Sequence, residues 1–105
     1  MKTKVRVTFE LPAELAQNAE NVFLAGDFNE WDETATPMDR KVDKKSGKRF
    51  TLTLDLTLGK EYQYRYLLDG TNWQNDWDAE KYVPNPFSGD NSVVLTYPPA
   101  DGVLD

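Results

Sequence analysis

The chain has no cysteine and no histidine. Their joint absence excludes disulfide frameworks, thiolate catalysis and zinc ribbons, and it removes the usual general base and the commonest metal ligand. Long apolar runs are missing too. The longest is Val22-Phe23-Leu24-Ala25, far short of the roughly 20 residues that a membrane-spanning helix needs. The opening Met1-Lys2-Thr3-Lys4-Val5-Arg6-Val7 puts charges where a secretory leader requires its apolar stretch. A soluble, cytoplasmic protein with no membrane partner is therefore expected. Basic charge is also scarce: twelve Lys and Arg against eighteen Asp and Glu leave a net charge of −6. A chain of that sign has no general attraction to phosphate backbones or anionic lipid, which argues against nucleic acid as a partner.

What is present suffices for one core. At 105 residues, with 39% hydrophobic and 12% aromatic content, the chain reads as a single domain over residues 1–105. Period-two alternation dominates it. Val5, Val7, Phe9 and Leu11 take every second position, with Arg6, Thr8 and Glu10 between them, as a strand with one buried face requires. After Pro12, residues 13–17 can form a single helical turn before Asn18 and Asn21 end it. Residues 21–25 read as a strand apolar on both faces, hence central. Phe50, Leu52, Leu54 and Leu56 alternate with polar residues, as do Tyr62, Tyr64, Tyr66 and Leu68 about Gln63 and Arg65. The short Thr57-Leu58-Gly59-Lys60 link predicts that these two strands form an antiparallel hairpin. Residues 92–97 add a last strand before Pro98-Pro99. Short strands separated by Gly, Pro, Asn and Asp predict a small all-β sandwich. Its core is expected to contain Val5, Val7, Phe9, Phe23, Phe28, Leu52, Leu54, Tyr64, Tyr66 and Val94.

Two stretches depart from this pattern. Residues 40–49 hold six basic side chains, half the total, around Ser46-Gly47, and read as a solvated hairpin tip or edge that discourages sheet-to-sheet aggregation. Residues 69–89 carry Trp73, Trp77, Tyr82 and Phe87 among Asn, Asp, Gly and Pro, a composition too irregular for strands. A loop that long is uncommon unless it binds something.

The chemistry on offer is aromatic and polar. Trp31 follows Gly26-Asp27-Phe28-Asn29-Glu30, and Trp73 follows the Asp69-Gly70 turn. Tryptophans held on loops can present flat apolar rings to a ligand with flat apolar faces, while Asn, Gln and Arg bond its rim. Glucose units, with stacking C–H faces and hydroxyls that need partners, meet that description. The competing role for each ring is to plug an end of the sandwich.

Three segments, Gly26-Asp27-Phe28-Asn29-Glu30-Trp31, Tyr64-Arg65-Tyr66-Leu67-Leu68-Asp69-Gly70 and Asn91-Ser92-Val93-Val94, come in the same order as in the family 48 carbohydrate-binding modules, and the sequence resembles that family from about Val5 to Tyr97. These are early-set domains found at the N-terminus of isoamylases and glycogen branching enzymes and within the β subunit of AMP-activated protein kinase. The resemblance implies an immunoglobulin-like early-set β-sandwich of about seven to eight antiparallel strands. It implies stacking tryptophans at Trp31 and Trp73, a strand-borne basic residue at Arg65, a sugar-contacting asparagine at Asn91 and an apolar residue reaching across the ring near Phe87. Alternation independently turns Arg65 away from the face of Tyr64 and Tyr66. Two residues, Thr71 and Asn72, separate Gly70 from Trp73 where the kinase-subunit form has one. Trp77 has no counterpart and is either an extra sugar platform or core.

Catalysis is not expected. Asp76, Asp78 and Glu80 imitate a carboxylate pair, but a sandwich of this size lacks a deep cleft to dehydrate one of them. They also lack the spacing and glycine of an EF-hand loop, so they read as a solvated acidic loop with no metal or cofactor. The expectation is a noncatalytic module that binds α-1,4-linked glucan, glycogen or starch-like, as polysaccharide or oligosaccharide. The alternative is an early-set interaction domain without sugar binding that docks a glycogen-metabolising enzyme or a copy of itself.

Overall fold

A computed structural model describes residues 3–16, 19–45, 47–85 and 89–97. Its elements are β1 (Lys4–Leu11), a one-turn helix α1 (Ala13–Ala16), β2 (Val22–Gly26), a 3-10 turn (Asp27–Asn29), β3 (Asp39–Asp43), β4 (Gly47–Thr57), β5 (Glu61–Leu68), β6 (Asn72–Gln74), β7 (Lys81–Pro84) and β8 (Asp90–Leu95). Three strands form one antiparallel sheet in the order β1-β4-β3. The other five form a second, ordered β2-β5-β8-β7, with β6 also paired to β5. The molecule is the all-β, immunoglobulin-like sandwich expected.

Alternation decides what lies between the sheets. Phe9 and Leu11 from β1, Phe50 and Leu56 from β4, Leu24 from β2, and Tyr64, Tyr66 and Leu68 from β5 are buried in one cluster, with Val7, Phe28, Leu52, Leu54, Tyr62 and Val94 half-buried against it. Phe9 meets Tyr64 edge-on, with ring centroids 4.9 Å apart, and this contact ties the two sheets together. Val5 and Phe23 fall outside that cluster. In β2 it is Leu24, opposite Tyr66, that faces the core, whereas Phe23 lies opposite Leu67 on the outer side. Four consecutive apolar residues carry no alternation, so their pattern did not reveal which parity points inward.

β2 is also not central. It ends the strand order, and its free edge is covered by residues 36–38: Leu24 N–H donates to the Thr36 carbonyl and Met38 N–H to that of Val22. The predicted hairpin between residues 50–56 and 62–68 is corrected as well, since β4 and β5 belong to opposite sheets. Alternation says which residues face inward, and two inward faces can belong to one sheet or confront each other across the core. Here they confront each other. Thr96 fixes the link: its hydroxyl donates to the Thr57 and Lys60 carbonyls and accepts from Lys60 N–H, while its carbonyl accepts from Gly59 N–H.

Among the described residues of 69–89 lie two strands, β6 and β7, where none was expected. Asp69 and Gly70 both have positive φ, 52° and 76°, a tight turn that Asp-Gly favours; Thr71 N–H donates back to the Leu68 carbonyl and completes the three-residue link between paired Leu68 and Asn72. The basic stretch forms the β3–β4 hairpin, with β3 at the sheet edge, as expected. No helix among the described residues is long and apolar enough to cross a membrane.

Candidate functional site

The outer face of the five-stranded sheet gathers four of the singled-out residues. Gly26 ends β2 tight against β5: a Cβ there would stand 2.5 Å from the Gln63 carbonyl oxygen and 2.8 Å from Tyr64 Cβ. Only glycine permits that approach. The chain then turns through residues 27–31, held by Asn29, whose Oδ1 accepts Gly26 N–H and whose Nδ2 donates to the Leu24 carbonyl and Thr36 Oγ1. Glu30 and Trp31 both adopt left-handed backbone, φ 58° and 59°, an uncommon conformation for side chains of this size. Trp31 N–H donates to the Gly26 carbonyl, and the indole Nε1–H donates to Asp27 Oδ1 at 3.0 Å. Just beyond, Thr34 donates from its N–H and hydroxyl to Asp32, and these bonds hold that carboxyl below its ordinary range.

Trp73 arrives from the other side of β5, on β6, directly opposite Leu67. The two indoles meet over the sheet with ring centroids 6.4 Å apart and planes inclined at 56°. Both rings are half-buried, so each keeps one part against the protein and another open to solvent. The Arg65 guanidinium carbon lies 5.7 Å from the Trp73 centroid, within reach of a cation–π attraction. Its Nε is buried and has no hydrogen-bond partner among the described residues. Beneath this cluster Ala25 and Leu67 are sealed from water.

Asn91 shares the face but differs from expectation in its freedom. It is 8% exposed; its Nδ2 donates to Gln63 Oε1 at 3.0 Å and its Oδ1 accepts from Asn85 Nδ2 at 3.3 Å. Its amide thus braces Gln63, itself half-buried beside Arg65. Phe87 lies outside the described residues. Trp77 is not core, being 63% exposed, and it is not part of this cluster either. The residue before it, Asp76, accepts hydrogen bonds from the hydroxyls of Tyr64 and Tyr66, on the inward side of β5.

Asp76 corrects the reading of a solvated acidic loop. Burial, then the adjoining Asp76 carboxylate, push the Tyr64 hydroxyl far above its ordinary range. Burial and the same charge raise Tyr66 likewise. Glu80 also accepts from a backbone, that of Leu95. Sequence reasoning missed Asp27, Asn29 and Asp76 as positioning groups, although the first two lie within the Gly26-to-Trp31 segment. Among the described residues no group of three or more acidic side chains could hold a metal ion.

A family model for carbohydrate-binding module 48, the isoamylase N-terminal domain, matches residues 6–88. The chain belongs to this carbohydrate-binding module family. It is also 39% identical over 61 residues to a 1,4-alpha-glucan branching enzyme, GlgB, of Aquifex aeolicus (strain VF5), covering 58% of this chain and 9% of that enzyme. The matched segment therefore spans less than a tenth of the length of that relative.

Proposed function

We propose that this module binds α-1,4-linked glucan without transforming it, a glycogen- or starch-like polysaccharide of the cytoplasm or an oligosaccharide cut from one. The observation that carries the reading is the pair of half-open indoles, 6.4 Å apart and inclined at 56°. Neighbouring sugar units can each lie on one ring at that separation. The inclination favours a chain that curves between units, as α-1,4 linkage makes it, over a flat ribbon that would need coplanar rings. Arg65 bonds sugar hydroxyls from its guanidinium, whose charge lies over the Trp73 ring, and Asn91 acts through Gln63. The 1,4-alpha-glucan in the name of the branching-enzyme relative points to the same ligand class.

A pull-down with glycogen, amylose and cellulose tests the reading. Retention on the first two and passage through cellulose is the expected result. Retention on none would shift the assignment to docking of a glycogen-metabolising protein or of a second copy.

A further inference from the structure

Trp77 is the most exposed aromatic ring among the described residues, at 63%, and Tyr82 nearby is 43% exposed. An exposed tryptophan on a slack loop would need no explanation. This one stands on a fixed support. Every polar atom of the preceding residue is engaged: Asp76 N–H donates to Ser92 Oγ at 2.9 Å, its carbonyl accepts from the Tyr82 hydroxyl, Oδ1 accepts from Asp78 N–H at 2.9 Å, and Oδ2 accepts from Tyr64 and Tyr66 at 2.7 and 3.1 Å. Those donors and acceptors come from β5, β7 and β8 as well as the turn itself. Asn75 Nδ2 donates to the Asp90 carbonyl, and its Oδ1 accepts from the Ser92 hydroxyl. Backbone fixed from three strands holds the ring's base in place before any ligand arrives, which lowers the ordering cost of binding.

The side of the sheet is equally definite. Trp73 lies opposite Leu67, on the face turned away from the core, whereas Asp76 bonds the two tyrosines that face inward. The turn therefore continues the layer of the three-stranded sheet beside β1, where the Tyr66 hydroxyl also reaches the Glu10 carbonyl. Exposed Asp78 and Glu80 flank it. Carboxylates around a ring repel anionic ligands and accept hydrogen bonds from hydroxyls, so a neutral polyhydroxylated chain fits this surface.

We propose that Trp77, with Tyr82 beside its turn, forms a second glucan-binding surface on the side of the five-stranded sheet away from Trp31 and Trp73, so that one module joins two glucan strands. This rests on the reading of the first face given above. Two sites that cannot engage one short oligosaccharide together behave as independent sites toward it and as a cross-link toward a polymer.

Calorimetric titration with maltoheptaose, paired with turbidity on mixing with glycogen, tests it. The parent is expected to take two oligosaccharides per chain and to cloud glycogen. Trp77→Ala is expected to take one, to keep adsorbing to glycogen and to leave it clear, with an unchanged urea midpoint because the ring lies outside the core. Trp77→Phe, a smaller platform, should keep the second site at several-fold lower affinity. Trp73→Ala should also take one. A Trp77→Ala variant with the parent's stoichiometry and turbidity overturns the proposal. If Trp73→Ala then loses all binding, the first face stands and Trp77 belongs to protein docking. A parent that takes up no maltoheptaose at millimolar sugar removes both readings together.

Discussion

The Asp27 carboxylate joins Trp31 to strand β5: Oδ1 accepts the indole Nε1–H at 3.0 Å and Oδ2 accepts the backbone N–H of Gln63 at 2.8 Å. Gln63 lies just past the end of the β2–β5 ladder, so without Asp27 its N–H would look outward to solvent. One side chain thus closes the sheet edge and orients the ring. Asp27→Ala should release the indole and weaken maltoheptaose binding roughly three- to tenfold, in keeping with the roughly 0.5–1.5 kcal/mol net of a hydrogen bond. Titration calorimetry measures it. Unchanged affinity would mean that packing against Trp73 orients the ring without help from Asp27.

The stacking ring should matter more than the cation beside it. Covering about 80 Å² of one indole face is worth roughly 2 kcal/mol at about 25 cal/mol per Å², out of the roughly 4 to 5.5 kcal/mol available at a Kd of about 0.1 to 1 mM. Trp73→Ala should therefore weaken glucan binding at the first face tenfold or more. Arg65→Ala should do less, because a surface hydrogen bond exchanges with water for about 1 kcal/mol. A reversed order in the same titration would make Arg65 the principal contact.

Much of this face was legible in the sequence. Alternation about Tyr64 and Tyr66 turned Arg65 outward, and the Gly- and Asp-bearing turns before Trp31 and Trp73 put both rings at the surface. Their approach to 6.4 Å was not legible, since it depends on β2 and β6 taking opposite sides of β5. Sheet membership of β4 and β5 was hidden for a related reason: a short Gly-bearing link serves both a hairpin and an arch. The Asp69-Gly70 signal for β6 was present and was outweighed by the irregular composition after it. Asp76 could not be told from its acidic neighbours, because Tyr64, Tyr66 and Ser92, which tie it to β5 and β8, lie 10 to 16 residues away in sequence.

The parity of β2 gives a stability test. Leu24 is fully buried opposite Tyr66, whereas Phe23 is partly exposed on the outer face. Leu24→Ala should cost about 2 to 5 kcal/mol, a large part of what a domain this size possesses. Phe23→Ala should cost clearly less despite removing more carbon. Urea titration of both variants checks the order, and equal losses would mean that the outer face is packed as tightly as the core.

The Asp76 network predicts an alkaline limit. Tyr64 and Tyr66 are raised in the folded state, so they stay protonated at a pH where the unfolded chain, with tyrosines near about 10, releases its protons. The unfolded state then binds fewer protons than the native one, and stability falls as pH rises. It is fully present below pH about 10 and declines above it, by up to about 1.4 kcal/mol per pH unit for each tyrosine. Urea midpoints between pH 8 and 11.5 (about one unit either side of the tyrosine value or more) measure the slope. Tyr64→Phe should make it shallower, and a variant slope equal to the parent's would place the alkaline limit elsewhere.

On the opposite sheet, Lys41 of the edge strand sits directly across from Arg49 in the antiparallel ladder. Like charges so placed repel, and the pair lies on the exposed side, away from Phe50. Arg49 is partly relieved by Glu10, 3.4 Å away on the third strand, but Lys41 has no ion pair among the described residues. Reversing its sign should turn repulsion into attraction, and Lys41→Glu should raise stability by about 0.2 to 1 kcal/mol, the usual size of a cross-strand pair. Lys41→Ala, which only removes the repulsion, should recover part of that. In 1 M salt, where the screening length is about 3 Å, the advantage of Glu over Ala should shrink to near zero. A gain that survives high salt would come from strand propensity or the unfolded chain. A loss at low salt would show that Lys41 supports the edge through its aliphatic stem.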